Sequence, residues 1–75
     1  MQSMEQIQLL KLLLARLERV SVDSYWAHRA SGVRGALLRA SEIIEAGQTV
    51  GEPALKQLMD EGFQILERAA QERSR

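Results

Sequence analysis

Cysteine is absent from this sequence of 75 residues. Its absence excludes disulfide bonds, thiolate zinc sites and cysteine nucleophiles. Proteins of a reducing compartment commonly lack disulfides, so we expect a cytoplasmic location.

The sequence also has no excess of positive or negative charge and no long apolar run. Ten Lys and Arg residues balance ten Asp and Glu residues, so the formal net charge is zero. Proteins that bind nucleic acid usually carry a basic excess, which makes nucleic acid an unexpected partner. No basic region precedes an apolar run near the N-terminus, and no apolar run approaches the roughly 20 residues of a membrane span. Neither a signal peptide nor a membrane span is predicted.

The chain is also short. A chain of this length is expected to form one domain, a single helical domain over residues 1–75. A domain of this size buries only ~60% of the surface that its unfolded chain exposes. Because disulfides are excluded, oligomerisation is the expected supplement to a marginal core. A homodimer is the default expectation and a tetramer the alternative, since symmetric dimers are the commonest closed form.

Apolar residues recur with helical spacing in three segments. The pattern predicts helices at about 4–20, 23–46 and 53–73, and nothing alternates with period two long enough to predict a strand. Gly47 follows the second helix, where a glycine commonly ends a helix, and Pro53 suits the first turn of the third.

Polar residues at the predicted helix starts indicate caps. Ser3 and Gln6 have the spacing of a capping box, in which each side chain satisfies a backbone N–H group of the other residue. Ser21 or Asp23 is expected to cap the second helix. The connection between the first two helices is then very short, which favours antiparallel neighbours.

The second helix carries an apolar seam at alternating spacings of four and three residues, and the third carries a matching row. These patterns predict an all-α fold, a three-helix antiparallel bundle with the second helix at its centre and Leu37 opposite Gly62. We expect the bundle to assemble further into a homo-oligomeric helical bundle. The packing seam consists of Trp26, Ala30, Val33, Leu37, Ile44, Leu55, Met59, Gly62 and Leu66.

Two glycines lie inside the second helix, where each costs about 1 kcal/mol relative to alanine. We expect Gly32 and Gly35 to offset this cost by admitting a bulky neighbour such as Phe63 or a leucine of the first helix. The alternative is a groove for a ligand or a partner chain.

Some large apolar residues fall outside the seams. Leu12, Leu38 and Phe63 do not fit the intramolecular core, and apolar surface left on such a chain usually marks an interaction site. We therefore predict pairing across the first helix and the Leu38 side of the second. The predicted interaction surface consists of Leu9, Leu12, Leu13, Ser31, Gly35, Leu38 and Phe63.

Chemistry-bearing residues are sparse. His28 falls on the side of its helix away from Trp26, which indicates a surface position, and Ser24 one turn earlier has no third group to complete a catalytic set. Trp26 is expected to close one end of the bundle while Tyr25 keeps its hydroxyl in water. We expect no catalytic activity, metal, cofactor or small-molecule substrate.

The sequence leaves alternatives to the leading hypothesis of a protein–protein interaction module, which is a self-associating domain, an adaptor or an accessory subunit. Its Leu-rich first helix also fits an LxxLL helix-in-groove pattern, or could lie on a membrane surface with basic residues toward the headgroups. The runner-up function is a nucleic-acid-binding or transcription-associated factor. It would use Arg29, Arg34, Arg39 and Arg68.

Overall fold

Three α-helices form where the apolar spacing predicts them. They are α1 (Met4–Glu18), α2 (Ala27–Glu45) and α3 (Glu52–Arg73). The structure is a computed structural model that describes the backbone of residues 3–73 and the side chains of residues 3–72, so the ends of the expected 1–75 domain lie outside it. All three helix pairs are in contact, which confirms the all-α three-helix bundle.

The start of α1 shows half of the predicted capping box. Ser3 is the N-cap, and its hydroxyl accepts a hydrogen bond from the backbone N–H of Gln6 at 3.1 Å. The side chain of Gln6 donates instead to Glu52 Oε2 at 3.1 Å, which ties the start of α1 to the start of α3. The last turn ends at Glu18, two residues before the predicted boundary, with Arg19 as C-cap.

The predicted start of α2 is wrong. Ser21 and Asp23 do not cap the helix, because the Ser21 hydroxyl accepts from the backbone N–H of Asp23 at 3.3 Å and holds a turn. A second turn follows, in which Ser24 Oγ accepts from the Trp26 N–H at 3.1 Å. The helix begins only at Ala27, and the connection over residues 19–26 is longer than expected.

The end of α2 follows the prediction at Gly47. This glycine adopts φ of 85°, in the left-handed region that glycine enters without steric cost. Its N–H donates to Ile44 O at 3.0 Å, and the Gln48 N–H donates to Ile43 O at 3.1 Å. These two bonds form a Schellman motif, which satisfies carbonyl groups in the last turn.

The ion pairs between helices show how the helices run relative to one another. From Lys11 to Glu18 along α1, the ion-pair partners on α2 run backward from Glu45 to Arg34, so these two helices are antiparallel. The bundle is elongated, with extents of 42 × 17 × 17 Å. The inter-helix pairs are Lys11–Glu45 at 3.6 Å, Arg34–Glu18 at 3.9 Å and Arg29–Glu61 at 3.1 Å.

The core lies along the axis where the three apolar stripes meet. Most seam residues are buried there, whereas Trp26, Ile44 and Leu66 are half-buried against its edge. Ile65, which the predicted seam omits, is almost fully buried because α3 contacts both other helices and needs a wider apolar stripe than one heptad seam. The buried apolar residues are Leu10, Leu13, Leu17, Ala30, Val33, Leu37, Ala40, Leu55, Met59, Ile65 and Ala69.

Candidate interaction surface

Three large apolar side chains outside the seams remain open to solvent in the single chain. The exposed fractions of Leu12, Leu38 and Phe63 are 48%, 45% and 39%. Leu9 is exposed to a similar degree, one turn before Leu12 on α1. Each side chain is therefore partly supported by its own bundle and retains apolar area that another polypeptide could cover.

Leu13 does not belong to this surface. Its exposed fraction is 0%, because its side chain lies directly over Gly62 of α3. A β-carbon placed on Gly62 would lie 2.9 Å from Leu13 Cδ2, so the absence of a side chain at Gly62 makes this contact possible. The residue nearest to Gly62 is thus Leu13 rather than the predicted Leu37.

The expectation for the two glycines of α2 is also wrong. Beyond the adjacent residues and the backbone of α2, no atom of the described residues lies within 4 Å of a β-carbon built on Gly32, and one built on Gly35 meets Arg39 Nη1 alone, at 3.7 Å. Neither glycine admits Phe63 or a leucine of α1. Among the residues that the structure describes, therefore, no packing contact offsets their cost to α2.

Leu38 lies beside the contact between α1 and α2. At about 100° per residue, Arg34, Leu38 and Glu45 fall within about 40° of one another on α2, and the first and last of these pair with α1. Ser31 is exposed and Gly35 half-buried farther around the same side of α2. Leu38 therefore extends the α1 surface onto α2.

By helical spacing, Phe63 lies on the side of α3 beyond the contact with α1, and it also lines an open groove with polar residues of α3 and Arg29 of α2. It follows Gly62, which faces α1, and it shares a side of α3 with Leu66 by helical spacing. Leu66 lines a groove with Arg16 of α1 and with Arg19, the C-cap of α1. The exposed part of α1 is thus bordered by Leu38 on one flank and Phe63 on the other.

We define the α1 outer face as the side of α1 that points away from the core. Leu12 is at its centre by helical spacing, with charged residues toward both ends. None of its charged side chains takes part in an ion pair within the described part of the chain. The face consists of Glu5, Gln8, Leu9, Leu12, Ala15, Arg16 and Arg19.

Sequence reasoning missed other exposed apolar residues. Ile43 is exposed on α2, and by helical spacing it lies on the side away from α1. Met4 and Val22 are more exposed still, near a helix start and in a turn. Val22 and Ile43 lie outside α1, and single apolar residues scattered over a protein surface are normal.

The aromatic pair lies at the end of the bundle where α2 starts. Trp26 is half-buried against the core, and the exposed ring of Tyr25 meets it edge-on, with ring centroids 5.3 Å apart. The guanidinium of Arg29 lies 5.9 Å from the centroid of the Trp26 ring while it pairs with Glu61. These contacts account for the pair as structural packing.

Residues for other chemistry are dispersed. His28 is exposed, and across residues 3–73 no group of three or more His, Cys, Asp and Glu residues is placed to hold a metal ion. Of the arginines in the runner-up hypothesis, Arg29 and Arg34 are paired with glutamates. Among the helices of the described chain, none combines the length and apolar character that crossing a membrane requires.

Comparison of the chain with protein-family models, with curated proteins and with solved structures found no significant match.

Proposed function

We propose that this protein is a small helical protein–protein interaction module that forms a cytoplasmic homodimer and has no catalytic role. The observation that carries the proposal is the exposure of Leu12 on α1 together with Leu38 and Phe63 on its two flanks. Leu9 adds apolar area beside Leu12.

Covering this surface would contribute free energy to association. Burying a whole leucine side chain is worth about 1.5–3 kcal/mol, so the exposed half of each residue contributes about 1 kcal/mol. Several such contributions matter for a chain of 75 residues, because a domain of this size has little stability to spare. Covering the surface would therefore stabilise the fold as well as join two chains.

The ionic contacts of the arginines favour this function over nucleic-acid binding. Arg29 and Arg34 are engaged with Glu61 and Glu18, and the chain as a whole has no net charge. An electrostatic surface for phosphates usually requires a cluster of unpaired basic side chains.

Sedimentation velocity over a range of protein concentrations tests the proposal. We expect the wild-type chain to shift from monomer to dimer as concentration rises, and Leu12→Gln to remain monomeric. Ile43→Gln is the matched control, because it removes an apolar residue of similar exposure on the side away from α1 and should dimerise normally. A wild-type chain that stays monomeric at all concentrations would refute self-association.

A further inference from the structure

This inference rests on the proposed function and identifies the geometry of the pair. We propose that the partner is a second copy of this chain, and that α1 packs antiparallel against α1 of that copy, with Leu12 at the two-fold axis.

The distribution of charge along the α1 outer face carries the inference. Glu5 precedes Leu12 by seven residues and Arg19 follows it by seven. Seven residues are nearly two helical turns, so all three fall within about 40° on the wheel. The face therefore has an acidic end, an apolar centre and a basic end along one line.

In an antiparallel pair, the acidic end of the face on one copy lies opposite the basic end of the face on the other. A two-fold axis at Leu12 brings Leu12 against its counterpart and sets Glu5 level with Arg19 of the second copy, about 10.5 Å along the helix on either side. A parallel pair would instead set Glu5 against Glu5 and Arg19 against Arg19. The sequence of the face thus favours one direction of pairing.

The charged side chains of the α1 outer face are available for such contacts. Glu5, Arg16 and Arg19 are exposed and form none of the ion pairs seen within residues 3–72. Arg16 lies one turn from Arg19 and level with Gln8 of the antiparallel copy, so no like charges meet at that height. The charges that do pair within the chain on α1, Lys11 and Glu18, lie on the α2 side instead.

The two flanks would add to the contact. Leu38 and Phe63 border α1 on opposite sides, so a second copy centred on Leu12 approaches both. An interface built around one pair of helices, each 15 residues long, is small, and interfaces below about 1,200 Å² belong to weak and transient complexes. We expect a dissociation constant on the order of 10 µM or more.

Single cysteines test the geometry cleanly, because the chain has no cysteine of its own. Leu12→Cys places two thiols together at the axis, whereas Gln8→Cys places them about 12 Å apart along the helices in the antiparallel pair. We expect mild oxidation to link Leu12→Cys into a covalent dimer and to leave Gln8→Cys monomeric.

The other outcomes separate this inference from the proposed function. Equal cross-linking of Leu12→Cys and Gln8→Cys would overturn the antiparallel arrangement. Cross-linking of Leu38→Cys without Leu12→Cys would overturn the α1 pairing while self-association stands. A wild-type chain that remains monomeric in sedimentation would refute both.

Charge exchange supplies an independent test. Glu5→Arg and Arg19→Glu should each weaken dimerisation about tenfold at low salt, since each variant replaces two attractive contacts by two repulsive ones. The double variant should recover wild-type affinity, because it reverses both partners of each contact. Circular dichroism checks that the single variants remain folded, and a double variant as weak as either single variant would contradict the pairing.

Discussion

Gly62 and Gly35 are both helical glycines, but their surroundings give them opposite effects on stability. Gly62 is buried beneath Leu13, and the space that a side chain would fill is already occupied. Gly35 and Gly32 face space that a β-carbon could enter freely. Glycine is thus required for packing at the first position and only lowers helix stability at the other two.

We expect Gly32→Ala and Gly35→Ala each to raise the free energy of unfolding by about 1 kcal/mol. Alanine restricts the unfolded chain and favours the helix, and at both positions its methyl group meets at most an ordinary contact with Arg39. Urea denaturation followed by circular dichroism measures the change. A loss of stability in either variant would show that a neighbour does approach α2 there.

We expect Gly62→Ala to lower the free energy of unfolding by up to about 2 kcal/mol, in spite of the better helix propensity of alanine. The new methyl group would lie 2.9 Å from Leu13 Cδ2 and 3.2 Å from Cγ, so rotating the leucine about its Cβ–Cγ bond can move the δ-carbons away but leaves the contact with Cγ.

A double-mutant cycle with Leu13→Val checks this cause. Valine lacks the δ-carbons, so Gly62→Ala should be clearly less harmful in that background than in the wild type. Equal effects in the two backgrounds would show that Leu13 is not the source of the cost.

The sequence alone does not show which of these three glycines is needed for packing. Only the assembled bundle distinguishes them. Helical spacing shows which face a glycine occupies, as it does for Gly62 in the α3 seam. It does not show how closely another helix approaches that face, because the distance depends on side chains from other segments. The same gap led to the wrong assignment of Leu13 to the surface.

At the scale of the elements, the end of α2 was predictable and its start was not. Gly47 is a strong local signal, since a left-handed residue after a helix is usually glycine. Ser21 and Asp23 have cap chemistry, but short polar side chains also bond to the backbone two residues on and hold turns. That competing use prevails in residues 19–26.

Gly47→Ala should lower the free energy of unfolding by about 1–2 kcal/mol, because alanine is strained at a φ of 85°. Gly51→Ala is the matched control in the same connection. Its φ is not in the left-handed region and nothing lies within 4 Å of a new β-carbon, so Gly51→Ala should lower the free energy of unfolding less than Gly47→Ala does, by no more than the cost of alanine at the N-cap of α3. Thermal and urea denaturation of both variants measure the difference, and an equal loss in the two would contradict the role assigned to Gly47.

For the whole molecule, the number of helices and most of the core follow from apolar spacing alone. The positions of Leu12, Leu38 and Phe63 outside the seams also correspond to exposure in the structure. The buried residues of α3 were less predictable, because Ile65 faces α2 while Leu66 lies toward α1. A single seam cannot represent a helix that packs against two partners.

Linkage between folding and dimerisation leads to a last prediction for the whole molecule. A partner that binds only the folded chain stabilises it by mass action, so the melting temperature should rise with protein concentration. For a chain of 75 residues, each tenfold increase above the dissociation constant should raise it by about 3–5 °C. Leu12→Gln should melt at one temperature regardless of concentration, since its surface no longer pairs. Ile43→Gln should retain the wild-type dependence on concentration. A wild-type melting temperature that does not change with concentration would mean that self-association through the α1 outer face contributes nothing to stability.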